Sequence, residues 1–278
     1  MYTIRPLTDL GLLRQCEDLQ RAVWGMGDRE VVPFNQLVAA VAAGGLVLGA
    51  FDGPLLVGFS YAFPGLRDGA PLWYSHMTGV LRAYRGRGIG FQLKCAQRDA
   101  ARRAGVSRIV WTYDPLQAVN ACFNLSRLGA TASRYYPDYY GQMMDELNRG
   151  LPSDRFEVDW ALDSPRVAGR VAGESPPAVP PDIPWALTAE GSGPLAPPGE
   201  PVLTLEAPVL RVEIPDAIGP LKAEASRDAL RWREATRAVF LHYLARGYAA
   251  TEALRDHEAG RPRVAYLLER TSHPGGTP

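Results

Sequence analysis

The spacing of hydrophobic positions predicts alternating strands and helices through residues 2–162. Apolar residues at helical spacing predict four amphipathic helices. Their expected bounds are Asp9–Trp24, Pro33–Ala43, Ile89–Ala104 and Gln117–Leu128. Shorter apolar or alternating runs predict seven strands. These are Tyr2–Leu7, Leu46–Phe51, Leu55–Phe63, Pro71–Leu81, Arg108–Tyr113, Ala130–Tyr136 and Arg155–Leu162. This order predicts an α/β (α+β) fold in which a mixed sheet carries helices on both faces.

A proline-rich stretch separates this region from the C-terminal one. Nine of the 28 residues from Glu174 to Pro201 are proline, which cannot donate hydrogen bonds to helices or sheets. We therefore predict a first domain over 1–163, a linker over 164–200, a small ββαββ domain over 201–270 and a disordered tail over 271–278. The expected elements of the small domain are strands Val202–Leu205 and Val209–Ile214, helix Leu221–Arg246, and a hairpin of Tyr248–Leu254 and Arg263–Glu269.

Composition excludes several classes of protein. An apolar fraction of 46% argues against global disorder. The 30 basic and 30 acidic residues cancel, so we expect no binding to nucleic acid or to a membrane through a broad basic field. Three widely spaced cysteines argue against a disulfide framework and against a cysteine-based zinc site. No signal peptide and no apolar run of ~20 residues is evident, so we expect a cytoplasmic protein.

The most informative segment is the glycine-rich loop between the fourth predicted strand and the third predicted helix. Gly86, Gly88 and Gly90 alternate with larger residues, which lets consecutive N–H groups point into one concavity. Eight basic residues and one acid lie between Arg82 and Arg108. This pattern favours a phosphate-bearing ligand at the helix N-terminus, and a simple glycine turn before a helix is the alternative. The loop is neither a Walker loop nor the first turn of a Rossmann unit.

The loop resembles that of the GCN5-related N-acetyltransferases (GNAT), whose acyl-CoA motif reads Q/R-x-x-G-x-G/A. Arg85, Gly88 and Gly90 match this motif, and Val80 stands where the family usually has a hydrophobic residue. The predicted strand order also agrees with the family fold through about Leu162. The resemblance implies a mixed, largely antiparallel sheet flanked by helices. It also implies acetyl-CoA, or another acyl-CoA, as co-substrate, with no metal.

In this family the fourth strand splays from the fifth, and pantetheine fills the gap. The resemblance therefore implies pantetheine contacts at Val80 and Leu81, with the Val80 N–H aimed at the thioester oxygen. Gly79 would provide a β-bulge that turns this N–H. The N–H groups that would hold the pyrophosphate belong to Arg85, Gly86, Arg87, Gly88, Ile89 and Gly90.

The resemblance also suggests catalytic residues on the fourth strand. Family members often place a glutamate four residues before the Val80 position, and here that position is His76. An imidazole with a pKa of ~6.5 suits a general base near neutral pH. Tyr74 lies on the same predicted strand face, and we assign both residues to the catalytic site. The alternative is that His76 only packs against that face.

A second helix motif of the family resembles Asn120–Ala130, in which Asn120 and Asn124 are the polar candidates for cofactor contact. Family members often carry a tyrosine here that protonates the departing thiolate. Leu125 occupies that position in this chain. Water or another tyrosine would then supply the proton, or the protein binds acyl-CoA without transferring the acyl group.

Candidate acceptor contacts come from aromatic and basic residues. Tyr136 and Tyr140 offer apolar area with a hydroxyl group, and Trp24 and Arg134 could contact an acceptor side chain or carboxylate. The tyrosines equally suit a core patch or a homodimer contact. The three histidines beyond His76 show no metal-ligand spacing.

The run Tyr135–Trp160, with the C-terminal extension, resembles a subgroup of predicted acetyltransferases, some of whose relatives are associated with N-acylamino acid racemases. Together the resemblances imply an N-acyltransferase that moves an acetyl or succinyl group from CoA to a primary amine of a small molecule such as an amino acid. The alternative is a non-catalytic acyl-CoA-binding regulatory or scaffold module. The C-terminal region is either a degenerate half-copy of the fold or an unrelated helix and hairpin.

Overall fold

The structure, a computed structural model, describes residues 2–143, 148–258 and 261–271. Its residues cluster in two units. Unit 1 contains the described residues 2–111 and 161–163, and unit 2 contains the described residues from 112 onward except 161–163. Beyond Thr271, the predicted tail lies outside the described residues.

Unit 1 contains the elements that the first half of the sequence predicts. Its strands are β1 (Thr3–Pro6), β2 (Leu46–Asp52), β3 (Leu55–Arg67), β4 (Ala70–Val80) and β5 (Arg108–Tyr113), the last of which ends in unit 2. Its helices are α1 (Leu10–Trp24), α2 (Phe34–Ala42) and α3 (Ile89–Arg103). Asp9 caps α1 by accepting a hydrogen bond from the Leu12 N–H, and Gly25 ends this helix in a left-handed conformation.

The strands of unit 1 follow the order β1-β2-β3-β4-β5, antiparallel except for β4 and β5. Helices α1 and α2 cover one face, where Leu13 and Leu37 lie in one apolar cluster. Helix α3 covers the other face, where Leu93 packs with Val57. Helices on both faces, as predicted, bury the sheet of unit 1 between two apolar layers.

Unit 2 contains the remaining elements. Its helices are α4 (Ala118–Ala121), α5 (Pro165–Ala172), α6 (Ile218–Glu224) and α7 (Ser226–Leu244). Its strands are β6 (Thr131–Tyr136), β7 (Arg155–Ala161), β8 (Trp185–Leu187), β9 (Val209–Ile214), β10 (Tyr248–Glu258) and β11 (Arg261–Arg270). The strand order is β7-β6-β10-β11-β9-β8; among the described residues, β8 and β9 pair in parallel and the other neighbours pair antiparallel. The predicted fold class, a mixed and largely antiparallel sheet flanked by helices, is confirmed.

Three predictions of local structure were wrong in unit 2. Residues 202–205 form no strand, because the Val202 N–H donates to the Ala186 carbonyl and the Leu205 N–H to the Tyr243 hydroxyl. The single helix predicted over residues 221–246 is broken at Ala225, whose backbone (φ −143°, ψ 57°) is not helical. The helix predicted over 117–128 is α4 followed by a π-helical stretch, Cys122–Arg127.

The segment predicted as a linker contains ordered elements. Helix α5 and strand β8 lie within residues 164–200, and Ser164 caps α5 by accepting a hydrogen bond from the Val167 N–H. The sequence analysis missed both elements, since prolines surround β8 and α5 spans only two turns. The division of the chain into separate domains at 163 and 200 stays a prediction.

Candidate active site

The predicted phosphate loop joins β4 to α3 in unit 1. A short 3₁₀ turn, Arg82–Tyr84, leads into Gly86 and Gly88, whose φ angles are 77° and 76°. This left-handed region is open to glycine at little cost and unfavourable for other residues. Among the described residues, no side chain caps the N-terminus of α3. N–H groups at a helix N-terminus without such a cap are the ones that typically bind an anion.

The glycine at position 90 shows whether the loop leaves room for a phosphate group. It lies in the first turn of α3, where backbone conformation does not require glycine. A Cβ atom built at this position would meet nothing within 4 Å among the described residues. Packing within the chain therefore does not require glycine here either. Its missing side chain keeps the approach to the helix N-terminus clear, as a phosphate cradle needs.

Arg85 and Arg87 hold the loop in different ways. The Arg85 guanidinium donates to the Val80 carbonyl at 3.2 Å and to the Val23 carbonyl at 3.1 Å. This side chain therefore fastens the loop to the end of β4 and to α1. Arg87 is exposed and donates to the Tyr2 hydroxyl at 3.1 Å. Its positive charge lies at the surface beside the loop.

Strand β4 separates from β5 as the resemblance implies. In the described chain, their pairing consists of Trp73 with Ile109 and Tyr74 with Val110. On the opposite edge β4 stays paired with β3, and the Leu81 N–H donates to the Val57 carbonyl at 2.9 Å. Because N–H directions alternate along a strand, the Val80 N–H points away from β3. It is therefore directed to the side on which β4 and β5 have parted.

Trp24, at the end of α1, packs directly against the end of β4. A Cβ atom at Gly79 would lie 2.6 Å from Cη2 of Trp24 and 3.1 Å from Cγ1 of Val23. The indole also meets the Phe59 ring edge-on, with centroids 6.1 Å apart. Position 79 must therefore be glycine for the indole to lie beside Val80.

The β-bulge of β4 lies at His76, and its predicted place at Gly79 was wrong. Tyr61 of β3 pairs with Met77 and Ala62 pairs with Ser75, which leaves His76 as the extra residue. The pairing of Phe59 with Gly79 is regular. A bulge bends the strand locally and redirects side chains, and here that happens at the candidate base.

Three aromatic rings surround the His76 imidazole. Its centroid lies 5.8 Å from that of Tyr61, 6.1 Å from Phe63 and 6.3 Å from Tyr74. Solvent reaches the side chain, yet the protein around it partly desolvates the ring, and this desolvation lowers the pKa of His76. The imidazole is therefore neutral at pH 7 and able to accept a proton.

The second predicted cofactor motif lies in unit 2. Asn120 is half-buried near the end of α4, and Asn124 is buried in the π-helical stretch. Leu125 is fully buried and carries no proton that could be donated. The extra residue of a π-helical turn shifts which side chains face a given direction. The side chains of residues 122–127 therefore face other directions than they would in an α-helix.

The candidate acceptor residues of unit 2 lie near a buried carboxylate that the sequence analysis missed. Glu157 of β7 accepts hydrogen bonds from Arg134 at 3.3 Å and from the Tyr136 hydroxyl at 3.4 Å. Tyr140 is exposed, and its hydroxyl lies 3.2 Å from the Thr112 hydroxyl. Arg134 already has Glu157 as an anionic partner. An acceptor carboxylate could bind Arg134 only beside Glu157 or by displacing it.

Unit 1 thus brings the loop residues 85–90, Val80, Leu81 and Trp24 together at the end of β4, with Tyr74 and His76 further along the same strand. Unit 2 brings Arg134 and Tyr136 together on Glu157. The sequence analysis also missed Tyr61 and Phe63, although their alternation along β3 was a usable signal.

Among the described residues, no group of three or more His, Cys, Asp or Glu side chains could hold a metal ion. No helix of the described ranges is both long and apolar enough to cross a bilayer.

Comparison with known proteins agrees with this geometry. Residues 13–129 match the model of the acetyltransferase (GNAT) family. No curated protein matches the chain. Similar solved structures include Arabidopsis thaliana Naa50 bound to a bisubstrate analogue, with 20% identity over 57% of this chain and 97% of that chain and a TM-score of 0.45. Another is yncA from Salmonella typhimurium with acetyl-CoA, at 19% identity, 59% and 95% coverage, and a TM-score of 0.46.

A third is the ribosomal-protein-S18-alanine N-acetyltransferase from Escherichia coli, with 14% identity, 59% and 96% coverage, and a TM-score of 0.48. These likenesses do not bear on the acceptor.

The chain therefore contains an acyltransferase domain of the acetyl-CoA-dependent class. Residues 13–129 are a GNAT acetyltransferase domain. The resemblance inferred from the loop motif is confirmed, as is acetyl-CoA as the co-substrate of this family. The roles of individual residues stay predictions.

Proposed function

We propose that this protein transfers an acetyl group from acetyl-CoA to a primary amine of a small molecule, with amino acids as the first class to test. The main support is the joint position, in unit 1, of an open helix N-terminus and a parted β4 edge. The loop residues 85–90 would bind the pyrophosphate. Pantetheine would pair with β4 at Val80 and Leu81.

The Val80 N–H would stabilise the oxygen of the thioester as the amine attacks it. Negative charge develops on that oxygen in the transition state, and a fixed N–H donor costs no reorganisation there. Comparable donors in acyl-transfer enzymes contribute ~3 kcal/mol. Trp24, packed on Gly79, would keep the strand end from shifting.

His76 would act as the general base. Its lowered pKa leaves a neutral imidazole at pH 7 that can take a proton from the attacking amine, directly or through water. A C–N bond forms, the C–S bond breaks, and CoA leaves as a thiolate. Water would protonate the thiolate, since the side chain at Leu125 cannot. Tyr74 would flank the reacting groups, with Trp24 as the candidate acceptor contact in unit 1. Acceptor contacts at Arg134, Tyr136 and Tyr140 stay predictions from the sequence.

The test measures release of free thiol from acetyl-CoA and, separately, from succinyl-CoA. Pools of L-amino acids, D-amino acids and short peptides serve as acceptors, and CoA binding is measured in parallel by calorimetry. Thiol release that depends on an amino-acid pool supports the proposal, and release only with peptides replaces the acceptor class. CoA binding without thiol release in any pool favours the non-catalytic module. His76→Gln should retain CoA binding and lose about 10²- to 10⁴-fold in kcat.

A further inference from the structure

A network of hydrogen bonds between buried polar side chains links α3 to strands β3 and β4 inside unit 1. Lys94 donates from Nζ to the Ser75 hydroxyl at 2.9 Å and to Oε1 of Gln97 at 3.2 Å. Gln97 donates from Nε2 to the Ser60 hydroxyl at 2.9 Å. The Ser60 and Thr78 hydroxyls lie 3.0 Å apart. Lys94, Gln97, Ser60 and Ser75 are all buried, none more than 4% exposed.

These hydrogen bonds lie on both sides of the bulge. Ser75 directly precedes His76, and Thr78 follows it two residues later. Lys94 and Gln97 are three residues apart, so they project from one face of α3. One helix face therefore holds β4 immediately before the extra residue, and through Ser60 it holds β4 just after that residue.

Burying the polar groups of this network costs free energy of folding. Burial of the amine lowers the pKa of Lys94 well below its usual value, because the charged form loses its water. Leucine or methionine would fill the same space without that penalty. Apolar side chains, however, have no directional bonds with which to fix an irregular strand. Lys94 also lies over the Trp111 ring of β5, 3.5 Å from its centroid, at the point where β4 and β5 part.

We propose that Lys94 and Gln97 are positioning residues that fix the β4 bulge and thereby the orientation of His76. This inference rests on the proposed role of His76 as base. Helix α3 also supplies the phosphate loop at its N-terminus, so one rigid element would set both the cofactor position and the base position. A strand bulge held only by its ladder would let the imidazole move by about an ångström, enough to reduce turnover by as much as ~10²-fold.

The test compares the 278-residue chain with its Lys94→Met and Ser75→Ala variants and with the double variant. NMR of the histidine imidazoles follows the His76 titration, which is assigned by its loss in His76→Gln. We expect the His76 pKa to rise toward ~6.5 in each single variant, because a loosened bulge exposes the ring to water. The double variant should shift it no further than either single change, since both remove the same hydrogen bond.

Two controls separate positioning from general destabilisation. Asp99→Asn changes an exposed side chain of α3 and should leave the His76 titration unchanged. The affinity for CoA should stay within about twofold in Ser75→Ala, because the loop is untouched. Ser75→Ala is also the milder variant. If Lys94→Met does not fold, the His76 titration can still be measured in Ser75→Ala.

The activity readout uses the acceptor found by thiol release. We expect kcat to fall about 10- to 100-fold in Lys94→Met, with KM for acetyl-CoA little changed. An unchanged His76 titration in folded Ser75→Ala and Lys94→Met would overturn the inference. Full turnover in His76→Gln would instead refute the base role, and the imidazole titration would still show whether Lys94 orients the side chain.

Discussion

The two units differ in where they place charge. In unit 1, Arg21 pairs with Asp18 and Asp28, whose side chains are 83% and 90% exposed. Unit 2 also has exposed pairs, such as Arg270 with Glu206, but several of its paired carboxylates are buried. Asp114 is 8% exposed, Asp154 is 0% exposed and Glu252 is 1% exposed. Exposed pairs contribute little to stability, whereas breaking a buried pair is expensive because it leaves an isolated charge.

The buried pairs of unit 2 join segments that are far apart in the sequence. Asp114 accepts two hydrogen bonds from Arg233, each at 2.7 Å. Asp154 likewise binds Arg237 of the same helix, α7. Residues just after β5 and just before β7 are thus fastened to the C-terminal region. The described residues of 112–160 and the C-terminal segment therefore belong to unit 2 together. The sheet of unit 1 is instead packed between apolar layers, and the arginines of its loop lie at the surface.

The largest expected effect follows from ending the chain at residue 163. The fragment 1–163 retains the predicted first domain but lacks the partners of Asp114 and Asp154. We expect it to be insoluble or to lose the near-ultraviolet circular dichroism of packed aromatic rings, because two buried carboxylates would remain without counter-charges. A fragment that unfolds cooperatively and keeps dispersed NMR signals would instead support an independent domain ending at 163.

The next largest effect is the loss of stability when one ion pair is broken, which we expect to be greater in unit 2 than in unit 1. Asp114→Ala leaves Arg233 buried without its counter-charge and should lower the free energy of unfolding by about 3–5 kcal/mol. Asp28→Ala, the matched change in unit 1, should lower it by about 0–1 kcal/mol. Urea denaturation of both variants measures the difference. Equal losses would show that burial of the carboxylate does not distinguish the units.

Sequence patterns predicted unit 1 better than unit 2, for a physical reason. The glycine loop and the ends of α1 and α3 depend on residues a few positions apart, so local chemistry determines them. The break at Ala225 runs against the high helix propensity of alanine, and the Val202 N–H donates to the carbonyl of the distant Ala186. Such features depend on contacts between distant segments, which a single sequence does not display.

The candidate site shows the same contrast between features that local residue type determines and features that depend on contacts between separate elements. The loop residues Gly86 and Gly88 adopt the left-handed backbone that their residue type suggests. The bulge at His76 was misplaced because it depends on the register between β3 and β4, not on a glycine in β4. The Arg134–Glu157 pair and the Lys94–Ser75 hydrogen bond join separate elements, and residue type alone does not reveal them.

A smaller effect is expected at Gly90 in unit 1, where a substitution should weaken CoA binding without lowering the stability of the fold. Gly90→Glu should weaken CoA binding about 10- to 100-fold, because a carboxylate at the helix N-terminus repels phosphate. The free energy of unfolding should stay unchanged or rise by up to about 1 kcal/mol, since glutamate favours this end of a helix. Calorimetric titration with CoA and thermal unfolding measure the two effects, and Gly90→Ala is the control that adds a Cβ without charge. Unaltered CoA affinity in Gly90→Glu would place the phosphate elsewhere.

The smallest expected effect concerns the packing of Trp24 on Gly79 in the apolar part of unit 1. Gly79→Ala brings a methyl group to 2.6 Å from Cη2 of the indole, so either Trp24 or β4 must move. Overpacking of this kind costs about 1–3 kcal/mol, with the lower part of that range expected where the indole can shift. The displacement would also move the neighbouring Val80 N–H, so kcat should fall more than CoA affinity does.

Trp24→Leu provides the matched test, because the smaller side chain vacates the space that the new methyl group needs. The double variant Gly79→Ala, Trp24→Leu should be more stable than the sum of the two single losses predicts, which denaturant unfolding of all four proteins measures as a coupling energy. Additive losses would mean that Trp24 does not restrict position 79. In that case the close packing of the indole would not explain why the chain has glycine directly before Val80.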